Sequence, residues 1–305
     1  MKILLLIDAN SIIHRAFHAL PPLTAKDSSP AQALYGLASI LIKIWREDKP
    51  DYAAACFDRP EPTFREEKYK EYKAQRPATP ETLVPQIIAA REEFEEFGIR
   101  TFEQKGLEAD DLIASLTTRF AGEPELQIVI LTGDRDTLQL VFEDKIVVRA
   151  FKKGVSETTT WNDAAVREKF GLGPSQLIDY KALVGDQSDN IKGVPGIGPK
   201  TAEQMLQKYN SLENIVKNLA KDKKLAEKLQ PYLKEMETSR ELVALRHNAE
   251  LEVSGLRDLE FKPDRPRVAA YLDKLGFVSL IKRIENGSVA VAKQTNPKTA
   301  QGRIF

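Results

Sequence analysis

The feature that most constrains this chain is a set of four short apolar runs, at residues 3–7, 52–57, 127–131 and 145–151, the first three followed within three residues by an aspartate. Runs of this length and composition read as buried strands, and helical periodicities at 31–45 and 108–120 fall between them. Strands alternating with helices predict an α/β fold with a mostly parallel central sheet flanked by helices. Ligands in such sheets sit beyond the carboxyl ends of the strands. Asp8, Asp58 and the turn Gly133-Asp134-Arg135-Asp136 occupy those ends, so one sheet edge gathers acids that repel one another unless cations join them.

From about residue 162 the strand pattern gives way to helices, predicted at 163–170, 174–184, 200–209, 225–245 and 264–275. The expected organisation is an α/β core at 1–178, a helical lobe at 179–285 containing a helix-hairpin-helix at 185–210, and a flexible tail or linker at 286–305. Within the core, 59–98 is expected to project, being poor in apolar residues in its first half and carrying prolines at 77, 80 and 85. The run after Met1-Lys2 is too brief for a signal peptide or a membrane span. The single cysteine, Cys56, provides neither a disulfide framework nor a thiolate zinc site, which makes the reducing cytoplasm the expected compartment.

Taken singly, each acid has a bland explanation. Asp8 can cap the helix starting near Ser11, Glu108, Asp110 and Asp111 suit a first helical turn, and Asp134, Asp136, Asp186 and Asp189 suit turns. Collectively they do not: in Glu108-Ala109-Asp110-Asp111, positions 108 and 111 share a helix face and 110 adjoins it. Such crowding is relieved by hard divalent cations, and two of them about 4 Å apart would activate a water and stabilise the entering and leaving oxygens of a phosphoryl displacement. His14 and His18 have i, i+4 spacing but lack the glutamate of a His-Glu-x-x-His zinc frame, so they read as surface or packing residues. No Gly-x-Ser-x-Gly elbow or Walker loop is present.

Lys plus Arg equals Asp plus Glu at 45 each, a balance that would argue against nucleic acid if the charge were evenly spread. Acids answered locally by metal leave basic residues free for phosphates. Two stretches fit. Residues 193–202 place Gly193, Gly196 and Gly198 at a tight turn opening directly into a helix with Lys200 and Thr201, so that backbone amides can face a phosphodiester; a plain hairpin between helices is the alternative. The stretch from 59 carries Arg59, Arg65, Lys68, Lys70, Lys73 and Arg76 interleaved with Phe64, Tyr69 and Tyr72, suited to phosphates and unpaired bases; a solvated helix paired with Glu61, Glu66, Glu67 and Glu71 is its alternative.

These motifs together resemble the 5′ nuclease domain at the N-terminus of bacterial DNA polymerase I, related to phage 5′ exonucleases and flap endonucleases. The likeness spans about residues 2–284 and rests on Leu6-Ile7-Asp8, Arg15-Ala16-Phe17-His18-Ala19, Phe57-Asp58, Phe64-Arg65, Tyr72-Lys73 with Arg76, Glu108-Ala109-Asp110-Asp111, Gly133-Asp134-Arg135-Asp136, Gly185-Asp186-Gln187-Ser188-Asp189-Asn190 and the hairpin, in that order. It implies a PIN-like core, a helical arch at about 59–98 that a single-stranded 5′ end threads, and a hairpin gripping duplex with K⁺ on its carbonyls. It implies one ion near Asp8, Asp58, Glu108, Asp110 and Asp111 and a second beside Asp134, Asp136, Asp186 and Asp189, with Mg²⁺ as the metal and Mn²⁺ as a substitute. Lys73 would reach the scissile phosphate, Arg15 and Arg65 would sit near substrate phosphates, and Tyr72 would stack on a base. The implied work is removal of primers, RNA included, and repair at flaps, nicks and free 5′ ends, by a monomer with a polymerase in cis or in trans. The chain departs from the family pattern at Ala9, His14 and Arg135, where Gly, an aromatic and Lys are usual. Two rivals are a non-catalytic DNA-binding module, which the intact acid set disfavours, and an aspartyl phosphatase, which Asp8-Ala9-Asn10 disfavours by lacking a second aspartate.

Overall fold

A computed structural model describes residues 1–153 and 157–285; the expected tail at 286–305 lies outside the described residues. The chain opens on β1 (Lys2–Asp8) and turns without a loop into α1 (Ala9–Ala19). There follow α2 (Gln32–Lys43), β2 (Tyr52–Cys56), α3 (Phe64–Lys68), α4 (Val84–Glu96), β3 (Arg100–Phe102), α5 (Ala109–Phe120), β4 (Leu126–Thr132), β5 (Ile146–Lys153) and β6 (Glu157–Trp161). The strands form one sheet in the order β3-β2-β1-β4-β5-β6, all parallel except β6 at the edge. Both faces of β1 are covered: Leu5 and Ile7 join the core beneath α2 and α4, while Leu4 and Leu6 join the core beneath α5. Double-sided burial is why this strand is apolar throughout rather than alternating.

The topology positions the site. From β1 the chain moves to β2 and β3 on one side, then crosses to β4 and β5 on the other, so the order reverses between β1 and β4. Asp8 pairs in register with Cys56, and Ile7 with Leu131, which brings Asp8, Asp58 and the turn after Thr132 to one level of the sheet. A crevice opens at such a reversal.

The helical part comprises α6 (Asp163–Phe170), α7 (Leu177–Val184), a two-stranded ribbon of β7 (Gly185–Asp186) and β8 (Ile191–Lys192), α8 (Pro199–Tyr209), α9 (Leu212–Lys217), α10 (Lys223–Leu229), α11 (Leu233–Val243), α12 (Arg265–Leu275) and α13 (Val278–Glu285). Leu183, Ala202, Leu206, Ile215 and Met236 form its own core. α12 and α13 return to the sheet, where Val268, Leu272 and Leu280 pack with α2 and α4. The ribbon and β6 escape an apolar-run search because one is two residues long and the other is the polar run Glu-Thr-Thr-Thr-Trp. The single helix predicted at 225–245 is two, broken by a 3₁₀ turn at Gln230–Tyr232 that contains Pro231, a residue without an amide hydrogen.

The expectation that 59–98 projects from the core is corrected for α4 and for Arg65 and Tyr72, while residues 74–79 are exposed. Ala90 and Phe94 of α4, with Phe97 just beyond it, are fully buried, and Arg65 and Tyr72 are only 1% and 4% exposed. Composition misled there because Arg65 and Tyr72 meet polar partners elsewhere in the chain. Among the described residues, no helix is long and apolar enough to cross a membrane.

Candidate active site

Strand ends build the site through short-range hydrogen bonds. Asp8 caps α1, its Oδ1 accepting from the Ser11 amide at 3.0 Å, while its Oδ2 accepts from the Thr132 hydroxyl at 2.6 Å. Thr132 Oγ1 in turn accepts from the Asp134 amide at 2.9 Å, and Asp134 Oδ1 from the Asp136 amide at 2.9 Å. A Cβ at Gly133 would stand 2.7 Å from Ser11 Oγ, which accepts from the Gly133 amide at 2.8 Å, so a side chain there would displace that hydroxyl. Asp58 reaches the start of α5, accepting from the Ala109 amide at 2.8 Å. The bland capping role and the convergence therefore coexist, because caps and turns are what fix these carboxylates in place.

The result is a cavity of about 770 Å³ lined by Asp8, Asp58, Glu108, Asp110, Asp134, Asp136 and Asp186, with His14 and the cations Lys73, Arg76, Arg135 and Lys181 on its walls. Burial, then Asp58 and, more weakly, Asp134, push Asp8 up to about 7 against the Thr132 and Ser11 hydrogen bonds. Burial and Asp134 push Asp136 to about 7 despite Lys181. Burial, with Asp134, Asp8 and Asp136, drives Asp110 well above the usual carboxylate range. Burial also raises Glu108, with Lys73 and Arg65 opposing. At Asp186 burial pulls upward, but Lys181 and the Ser188 hydrogen bonds outweigh it and leave the group lowered.

The donor set is all oxygen, and Asp110 Oδ1 is shut away from solvent with no hydrogen-bond donor. A crowded oxygen cluster with an orphaned buried oxygen fits hard divalent cations. Among the described residues, no three His, Cys, Asp or Glu side chains converge closely enough to hold one ion as they stand. Ammonium groups stand among them instead: Lys73 Nζ lies 2.8 Å from Glu108 Oε1, and Lys181 pairs with both Asp136 and Asp186.

Several expected site residues lie outside the cavity lining. Arg65, expected beside substrate phosphates, is 1% exposed and forks onto Asp111 at 2.7 and 2.8 Å, with further bonds to the Leu242 and Ala244 carbonyls. Asp111, expected near a metal, is 0% exposed and accepts from Arg65 twice, from the Arg246 amide and from the Glu108 amide. Those four donors use all its lone-pair sites, leaving none for a cation. Tyr72, expected to stack on a base, is buried with its hydroxyl donating to Glu108 and Asp189 at 3.1 and 3.0 Å. Asp189 is 4% exposed and also takes Arg76 at 2.6 Å. Arg15 sits over the Phe151 ring, 5.3 Å from its centroid. Sequence reasoning missed Thr132 and Lys181; the only clue to Lys181 was a basic residue five positions before Asp186.

The hairpin glycines separate by role. A Cβ at Gly193 would collide with the Val184 carbonyl group and stand 2.5 Å from the Gly185 nitrogen, so that glycine serves the chain's own packing. Gly198 has an ordinary φ of −94°, and a Cβ there would meet nothing within 4 Å. Its backbone is open to an outside molecule, as is the exposed start of α8 at Lys200. Val194 and Ile197 are buried and anchor the turn. Gly196 has a φ of 75°, and Thr201 is half-buried in the first turn of α8.

A thermal prediction follows from the acids. The folded pKa values of Asp8 and Asp136 exceed their unfolded values, so their contribution to stability is complete in acid and is lost as pH rises from about 4 through about 7. In EDTA the melting midpoint should fall by about 5 °C between pH ~5.5 and ~8, and Mg²⁺ should remove most of that fall. The buried, donorless carboxyl of Glu93 is also raised and supplies a cation-independent remainder. Identical melting curves with and without Mg²⁺ would count against cation binding by these acids.

Comparison with known proteins agrees with this architecture. Residues 3–171 match the family described as 5′-3′ exonuclease, N-terminal resolvase-like domain, and residues 172–267 match 5′-3′ exonuclease, C-terminal SAM fold. The chain is 43% identical over 286 residues to DNA polymerase I of Caldicellulosiruptor bescii, covering 92% of this chain and 33% of that protein. It thus spans about a third of the length of the DNA polymerase I relatives. A protein of Aquifex aeolicus named 5′-3′ exonuclease is 37% identical over 93% of this chain and 96% of its own length. Among solved structures, T5 5′-exonuclease with divalent metal ions (zinc) bound shares the fold, with a TM-score of 0.63 and 21% identity over 94% of this chain and 98% of that one.

Proposed function

Because this chain belongs to the 5′-3′ exonuclease family, we propose that it hydrolyses phosphodiesters near 5′ ends of DNA, as a structure-specific exonuclease and flap endonuclease dependent on Mg²⁺. The observation that carries this reading is the acid-lined cavity at the strand-order reversal, with Asp110, whose buried Oδ1 has no hydrogen-bond donor, in its lining. Divalent cations bound there, two in this reading and with Mn²⁺ as a substitute, would supply charge neutralisation at the attacked phosphate and activation of a water. Asp8, Asp58, Glu108 and Asp110 would hold one, and Asp134, Asp136 and Asp186 the other.

The chain's own residues orient the substrate. Lys73 places an ammonium on the cavity wall, and Arg76 and Arg135 add positive charge where a phosphodiester would lie against the acids. Thr132 and Ser11 hold Asp8 and the Gly133 turn in place. Arg65 and Asp111 act at one remove by tying α3 to the start of α5 and the end of α11. Asp189 and Tyr72 fasten residues 72–76 to the 186–190 turn, so that Lys73 and Arg76 sit beside the acids rather than in solvent.

In this reading residues 1–178 form the nuclease core, 59–76 borders the path of an unpaired 5′ end, and 179–285 grips duplex through the hairpin, with K⁺ on its carbonyls. The substrates are 5′ flaps, nicks and free 5′ ends, RNA primers included, met by a monomer in the cytoplasm with a polymerase in cis or in trans. On a 5′-end-labelled flap with Mg²⁺, product mapping should give short 5′-phosphorylated fragments cut near the junction, and EDTA should abolish them. A flap left intact beside bound duplex would instead support the non-catalytic module. Gly198→Ala should weaken duplex binding about tenfold without lowering the melting midpoint, because only an outside backbone would meet the new methyl. Gly193→Ala should lower the midpoint instead, and equal effects of the two on binding alone would refute the separation.

A further inference from the structure

Lys181 projects from α7 into the acid cavity, and its ammonium donates to Asp136 Oδ1 and, at 2.5 Å, to Asp186 Oδ2. Asp136 follows β4 in the core, whereas Asp186 lies in β7, so this bridge spans the seam between the core and the helical part. The three side chains are 21%, 14% and 10% exposed, which sets them apart from solvent-screened surface pairs. The remaining bonds are instructive. Asp186 Oδ1 is fixed by the Ser188 amide at 2.8 Å and hydroxyl at 2.5 Å, which leaves Oδ2 as the variable oxygen, and that is the one Lys181 takes.

We propose that Lys181 is a positioning residue that competes with a divalent cation for Asp136 and Asp186, holding the two carboxylates as a pair until an ion takes them. The inference rests on the reading that this acid cluster binds divalent cations. An ammonium between two half-buried carboxylates stands where a divalent cation held by the same residues would need room, and like charges there exclude one another. The lysine stem has four carbons and a point charge at its tip, so the ammonium can swing within the cavity while α7, packed on α8 and α11, stays where it is. Once displaced it remains at the cavity wall, where a phosphodiester anion is the natural counter-ion. The carboxylates of Asp136 and Asp186 thus keep a monovalent partner in the absence of metal, and the ammonium gains an anionic one when metal and substrate arrive.

The test counts free Mn²⁺ by its spin-resonance signal over the full chain and two variants, and pairs this with melting in EDTA and in Mn²⁺. Lys181→Met should bind Mn²⁺ at least about fivefold more tightly than the wild type, melt lower in EDTA, and recover when Mn²⁺ is added. Lys181→Arg, which restores the charge, should return the affinity toward that of the wild type. Where Lys181→Met does not fold in EDTA, Lys181→Gln is measured in the same way. A merely structural bridge gives unchanged Mn²⁺ affinity and the same loss of melting temperature with and without the ion, and that result overturns the proposal. Mn²⁺ uptake by neither chain overturns both this inference and the two-ion reading, whereas equal uptake by both overturns this inference alone.

Discussion

Asp134→Ala is expected to slow flap cleavage by at least about 10³-fold while leaving duplex affinity within about twofold. The asymmetry comes from location: Asp134 lines the acid cavity, whereas the hairpin at 193–202 lies outside that lining. The same substitution should raise the melting midpoint in EDTA, because Asp134 adds to the raised pKa values of Asp8, Asp110 and Asp136 and so burdens the fold. Steady-state cleavage, duplex binding in Ca²⁺ and a melting curve decide the matter together. Undiminished Mg²⁺-dependent cleavage by this variant would sink the assignment of the cavity.

Arg65→Ala is expected to cost about 3–5 kcal/mol of stability, since it leaves Asp111 charged, buried and short of two donors. A residue that served substrate phosphates from the surface would behave differently, losing turnover with a normal melting curve. The double substitution Arg65→Met with Asp111→Leu should recover part of the loss, because it removes the stranded charge but leaves the Leu242 and Ala244 carbonyls and the Arg246 and Glu108 amides without their partners. Urea unfolding of the three chains measures this, and a single variant as stable as the wild type contradicts the buried fork.

Much of the fold was legible because parallel strands covered on both faces must be apolar throughout, and Leu4–Ile7 and Ile128–Leu131 are. Register did the rest, since an aspartate following such a strand has nowhere to go but the sheet's edge. The parts that stayed illegible depended on partners remote in sequence. Nothing near Arg65 announces that Leu242 and Ala244 will supply carbonyls to it, and a basic, charged stretch then reads as solvent-facing. Asp110 and Asp111 are adjacent and chemically identical, yet one lines the cavity and has an orphaned oxygen while the other is saturated by four donors. Their difference is set by the helix face on which each falls and by what packs there, and only the first of these is written locally. Lys181 was missed for a related reason. A lone lysine in a helical pattern carries no sign of the two carboxylates that tertiary packing brings to it.

The carbonyls that seal the Arg65 fork lie 177 and 179 positions downstream of it. A ribosome delivers the chain from its N-terminus, so the sheet and the acids at its edge emerge well before α11. Until residues 242–246 are out, the guanidinium and Asp111 lack those carbonyls and the Arg246 amide, and the start of α5 is held by Asp58, by its own capping box and by Arg65. One support of the acid edge thus comes from a distant helix end, and a nascent core would have its strands before that support.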